Sequence, residues 1–162
     1  TFGALLGAKR STVGLQVTAQ HAIWQSLYLG LQGGFQHLLA DGNRDTSAQI
    51  GLFEWTAVGV AKWQYDNENI GFSVLTGAGI AISQSKAKYD DTTLYYGQTD
   101  TLLLIRTSIG LSWKISNDLS MIASFSADFT PSYPDYQLQS QELLSRGSTS
   151  IFASLGCRYS PF

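Results

Sequence analysis

The chain has little charge, almost no cysteine or proline, and no long apolar run. Lys, Arg, Asp and Glu make up 14% of its 162 residues, against roughly 25% in an average soluble domain. One cysteine, Cys157, excludes an internal disulfide and any multi-cysteine metal site. Two histidines, His21 and His37, are too few for a histidine-based metal centre, so neither a metal nor any other cofactor is expected. A net charge of −2 leaves no basic footprint for nucleic acid. No segment approaches the roughly 18 consecutive apolar residues of a membrane-crossing helix. Helical periodicity is almost absent as well. Thr1 is not an initiator methionine, so a processed or trimmed chain is expected.

What is there is period two. In TSIGLSWKI, residues 107–115, Ile109, Leu111, Trp113 and Ile115 share one parity, while Ser108, Gly110, Ser112 and Lys114 share the other. Such alternation marks a strand with one apolar face and one polar face. The same reading predicts strands over 12–19, 26–36, 48–65, 70–83, 99–115, 119–129 and 148–159. Tight turns are expected at 20–25, 66–69 and 116–118, and long polar loops at 37–47, 84–98 and 130–147. Pro131, Pro134 and Pro161 all fall outside the strand interiors. Seven strands do not close a bacterial barrel, which uses an even number. The eighth is assigned to TFGALLGA at the N-terminus, turning at Lys9, Arg10 and Ser11.

The apolar parity could face a soluble core or lipid. Within the strands, Glu54, Lys62, Asp100, Arg106, Lys114, Asp128 and Arg158 sit opposite the apolar parity. Their neighbours on that side are mostly Gly, Ser and Thr, which suit the crowded inside of a narrow barrel better than a solvated face. On the strand through 53–65 the aromatics stand at the two ends, with Ala57, Gly59 and Ala61 between. The eight residues from Trp55 to Trp63 span roughly 26 Å along a strand. Tilted by about 40°, that is roughly 20 Å of membrane depth, close to the spacing of two interfacial aromatic girdles. Lipid is therefore the preferred reading. Its rival is a soluble barrel with inverted polarity that binds a hydrophobic ligand.

The plan of short turns at one end and long loops at the other resembles the small eight-stranded outer-membrane proteins, the opacity-type and OmpX-type group. The C-terminal run of Ile151, Ala153, Leu155, Cys157 and Tyr159, ending in Phe162, looks like the alternating last strand and terminal aromatic of that group. The resemblance implies an all-β fold: a single antiparallel, up-and-down, transmembrane β-barrel domain of eight strands over 1–162. It implies a Gram-negative outer membrane, and a non-enzymatic role in adhesion, surface contact or envelope assembly, carried by the loops.

The site expectations follow. Glu54, Lys62, Arg106, Lys114, Asp128 and Arg158 are expected to face the lumen, because a charge inside a barrel must be paired or hydrated. They form either a filling salt-bridge network or a narrow polar path, which would make the protein porin-like, a channel for small or apolar solutes. Trp55, Trp63, Tyr65, Trp113 and Tyr159 are the expected aromatic girdle. Tyr89, Tyr95, Tyr96, Tyr133 and Tyr136 lie in the loops, where tyrosine serves either recognition or the membrane interface. His37 and Asp41 share a loop, but nothing marks a serine as nucleophile, so no catalytic residue is assigned. Cys157 is read as a small hydrophobe. The expected partners are membrane lipids and, through the loops, a surface or envelope protein; nucleic acid is not among them.

Overall fold

The computed structural model describes residues 2–7, 12–41, 49–89, 93–131, 136–138, 141–144 and 149–160. The strands are β1 (Phe2–Gly7), β2 (Thr12–Trp24), β3 (Leu27–Asp41), β4 (Gln49–Asp66), β5 (Ile70–Tyr89), β6 (Thr93–Lys114), β7 (Leu119–Phe129), β8 (Tyr136–Leu138), β9 (Gln141–Leu144) and β10 (Thr149–Tyr159). Eight of them close a ring in the order β1-β10-β7-β6-β5-β4-β3-β2, with β8 and β9 as a separate hairpin. Every pairing is antiparallel. β1 supplies the closing seam, pairing Phe2 with Cys157 on one side and with Val17 on the other.

Closure sends the two parities to opposite sides of the wall. Leu15, Leu29, Leu31, Ile80, Leu103, Ile109, Phe125, Ile151 and Leu155 are all exposed on the outside. Soluble monomers rarely expose contiguous apolar patches beyond a few hundred Å², and here the apolar side chains come from every fully described wall strand. In lipid the closed ladder satisfies the backbone groups that water would otherwise have to solvate.

The structure extends several elements beyond their predicted bounds. The turn expected at 20–25 is confined to Gln25 and Ser26, because β2 runs on to Trp24 through a register shift between Ala22 and Trp24. Gln20 and His21 read locally as turn residues, yet polar side chains are tolerated where a strand nears the membrane surface. His21 is paired with Leu29 on β3 and lies exposed on the strand. The 84–98 segment also differs: β5 and β6 stay paired as far as Tyr89 and Thr93. Above the membrane a hairpin needs only backbone pairing, so the apolar alternation fades before the strands end.

The remaining turns are tight. Asn67 donates its backbone N–H to Ile70 at 2.8 Å, and Ile115 donates to Leu119 at 2.9 Å. Ser160 donates to Asp118 at 2.9 Å, tying the end of β10 to the β6–β7 turn.

Inside, large side chains lie opposite small ones. Val58 is paired with Gly79, and Val60 with Gly77. A Cβ on Gly79 would run into the Ala57 carbonyl, and one on Gly77 would stand 2.6 Å from the Gly59 oxygen. Those glycines let Val58 and Val60 fill the bore with Leu75, Ala81, Leu102 and Leu104. This apolar cluster is absent from the sequence reading, because the middle of β4 and β6 is apolar or small on both parities.

Candidate functional site

The lumen is where the charged side chains meet. Register places Arg106 of β6 directly opposite Asp128 of β7. Arg106 donates through Nε to Asp128 Oδ1 and through its terminal nitrogen to Oδ2, each at 2.6 Å. This two-point pairing matches the guanidinium fork to the carboxylate. The other terminal nitrogen of Arg106 donates to Gln32 Oε1 at 2.9 Å, and Gln32 Nε2 reaches Thr18 Oγ1 at 3.0 Å. The guanidinium also lies over the Phe152 ring, 5.4 Å from its centroid. Arg106 is 1% exposed and Asp128 2%. Glu54, equally buried, accepts a hydrogen bond from Gln36 Nε2. These contacts tie β2, β3, β6 and β7 across the bore.

Towards the short turns the interior opens. An inner cavity of about 60 Å³ is lined by Gln16, Thr18, Gln20, Gln32, Lys62, Ser108 and the serines of β7 and β10, among others. Beyond it a vestibule of about 330 Å³ takes in Gln64, Asp66, Lys114, Asp118 and Arg158. Arg158 pairs with Asp66 at 3.3 Å, and Gln64 also donates to Asp66. Lys62 is buried, its ammonium 5.9 Å from the Tyr28 ring centroid.

Of the six charged residues expected inside, Glu54, Lys62, Arg106 and Asp128 are buried, and Arg158 is half-buried at the vestibule. Lys114 also lines the vestibule. As the last residue of β6 it stands exposed at the mouth, outside the buried set. The sequence reading missed Gln32 and Gln36, since a glutamine in a strand carries no local mark of an ion-pair partner.

Trp55, Trp63, Tyr65, Trp113 and Tyr159 all face outward. Trp63, Tyr65, Trp113 and Tyr159 lie towards the turn end. The sequence reading left Trp24 in a turn, but it joins them there and is 75% exposed. Trp55 belongs to a second group near the loop end, its ring 4.5 Å from Phe35. His37 stacks on Phe53 in the same group at 4.2 Å, placing it on the outer wall rather than in a loop. Cys157 is exposed on the outer parity. Tyr133 and Phe162 lie outside the described residues, as do the side chains of Asp41, Tyr89, Tyr95, Tyr96 and Tyr136.

No protein-family model matches the sequence, and no curated protein matches it. Among solved structures the chain is similar to Neisserial surface protein A, with a TM-score of 0.58 and 12% identity over 98% of this chain and 91% of that one. It is also similar to Ail, the attachment invasion locus protein of Yersinia pestis, with a TM-score of 0.50 and 11% identity over 98% and 91%. The outer membrane enzyme PagL is a third neighbour, with a TM-score of 0.55 and 16% identity over 99% of both chains. The chain thus has the fold of the small outer-membrane β-barrels of Gram-negative bacteria, and its apolar exterior is a lipid-facing belt.

Proposed function

We propose that the protein is a non-enzymatic, non-conducting outer-membrane anchor, one barrel domain that holds a protruding sheet edge and three loops in the water outside the cell for surface contact. One observation carries this reading. β7 pairs with β6 no further than Phe129 opposite Ile105, whereas β6 begins at Thr93. Among the described residues no strand pairs with the β7 side of β6 above Ile105, and β8 lies against β6; this edge is the one proposed to accept an added strand. Tyr89, Tyr95 and Tyr96 belong to the same hairpin and are proposed to add contact area.

The kind of partner follows from charge. The segments 37–47, 84–98 and 130–147 hold four Lys and Arg against six Asp and Glu. Ail has been solved with the heparin analogue sucrose octasulfate. The acidic balance here favours a protein partner over a polyanion for this chain. Adhesion is the role we propose for that contact.

The test uses a non-adherent bacterium displaying the full chain. Replacing residues 86–96 with a two-residue turn is expected to leave the barrel folded and to reduce attachment to cultured cells at least tenfold. Equal attachment by both forms would overturn the reading. The channel alternative has its own check in planar bilayers. The Arg106–Asp128 pair and the apolar cluster obstruct the bore, so the folded protein is expected to give no discrete conductance steps; resolved steps would restore the channel.

A further inference from the structure

The turn-end half of the lumen presents hydrogen-bond donors without acceptors. Lys62 is 6% exposed and has no hydrogen-bond or ion-pair partner among the described residues; its ammonium stands 5.9 Å from the Tyr28 ring centroid, within electrostatic reach of Asp66 and Arg158. Gln16 Nε2, fully buried, is also unpartnered, and so is Arg158 Nε. Lys62 and Gln16 line the same inner cavity. Arg158 lines the vestibule, and Thr18 and Gln20 border both spaces. The nearby carboxylate is already engaged, since Asp66 takes contacts from Arg158 and Gln64. Together the two cavities are lined by three cations, Lys62, Lys114 and Arg158, against the carboxylates of Asp66 and Asp118.

A buried, unpaired ammonium is costly. An ammonium facing a polar cavity calls for an acceptor carrying negative charge. We propose that this cavity is a dead-end binding site for a small free oxyanion, a phosphate or carboxylate group that enters through the vestibule and seats on Lys62, beside Gln16. The cavity of about 60 Å³ has room for roughly four waters, which suits a group of phosphate or acetate size. The vestibule leaves space for the rest of a small organic anion. The apolar cluster and the Arg106–Asp128 pair lie deeper in the bore, so the anion is held and not passed on. Because the site is inside the wall, its source is dissolved solute and not a lipid headgroup.

The detergent-folded full chain is titrated with sodium phosphate, and separately with acetate, at an ionic strength held by a bulky sulfonate. Saturable amide shifts at Gln16, Tyr28 and Lys62 are expected, with a dissociation constant on the order of 1 mM. Lys62→Met is expected to weaken binding at least tenfold, and Gln16→Glu to do so by placing a carboxylate in the cavity. Lys88→Met, on the β5–β6 hairpin at the loop end, is expected to change it less than twofold. Lys62→Met removes an unpaired buried charge, so it is expected to fold, and Gln16→Glu stands as a second, independent variant. No saturable shift with either anion would overturn the site. So would binding that Lys62→Met leaves unchanged, or shifts that appear with anionic-lipid bilayers and not with dissolved phosphate.

Discussion

Arg106→Met is expected to lower the stability of the folded barrel by about 3–5 kcal/mol, the usual loss when one partner of a buried ion pair is removed. Most of that loss comes from what remains. Asp128, 2% exposed, would keep its charge in the bore without its two-point partner. Gln32 Oε1 would lose the donor it accepts from. Native stability is commonly only about 5–15 kcal/mol, so the loss is a large share of the whole. The measurement is denaturant unfolding in lipid vesicles, followed by the mobility difference between unheated and boiled samples on an SDS gel. Arg106→Leu with Asp128→Leu is expected to recover most of the loss, because the charge and its counter-charge go together. If Arg106→Met unfolds within about 0.5 kcal/mol of the unmodified protein, the pair does not hold the bore and water solvates Asp128 instead.

Leu31→Arg is expected to cost about 2–4 kcal/mol in a bilayer, while Leu27→Arg on the same face of β3 costs about 0–1 kcal/mol. Both leucines point outward, and Leu31 is 72% exposed. Their depths differ. Leu27 is paired with Trp63, at the turn-end girdle, whereas Leu31 is paired with Gly59, midway between Trp55 and Trp63. An arginine at Leu27 can extend its charge into the interface; at Leu31 the interface is about two turns of the pleat away on either side. Equilibrium unfolding from vesicles reads both costs. Equal and negligible costs would mean that water, not lipid, surrounds this face.

Much of the barrel was legible because the pleat is a local property. Ser108 and Ile109 take opposite sides of the wall whatever the rest of the chain does. The β6–β7 turn at 115–118 is equally local, and it sets the register that brings Arg106 to Asp128. The edges were less legible. Gln20 and His21 have turn chemistry, yet the structure carries β2 past them to Trp24, since a strand end at the interface accepts polar side chains. The extended hairpin beyond Gln84 was invisible for the opposite reason: its pairing is backbone to backbone and asks for no apolar face.

By itself, the amino-acid order determined the strands, the sidedness of each, and the segregation of charge to one parity. Those follow from the two-residue repeat of the pleat. Only the tertiary structure decided which parity is the inside, because that depends on β1 meeting β10 and the ring closing. Closure also brought Gln32 to Arg106, 74 residues away, and placed Lys62 and Gln16 in one cavity. Such contacts join strands on different parts of the wall, and no repeat along the chain encodes the distance across a bore.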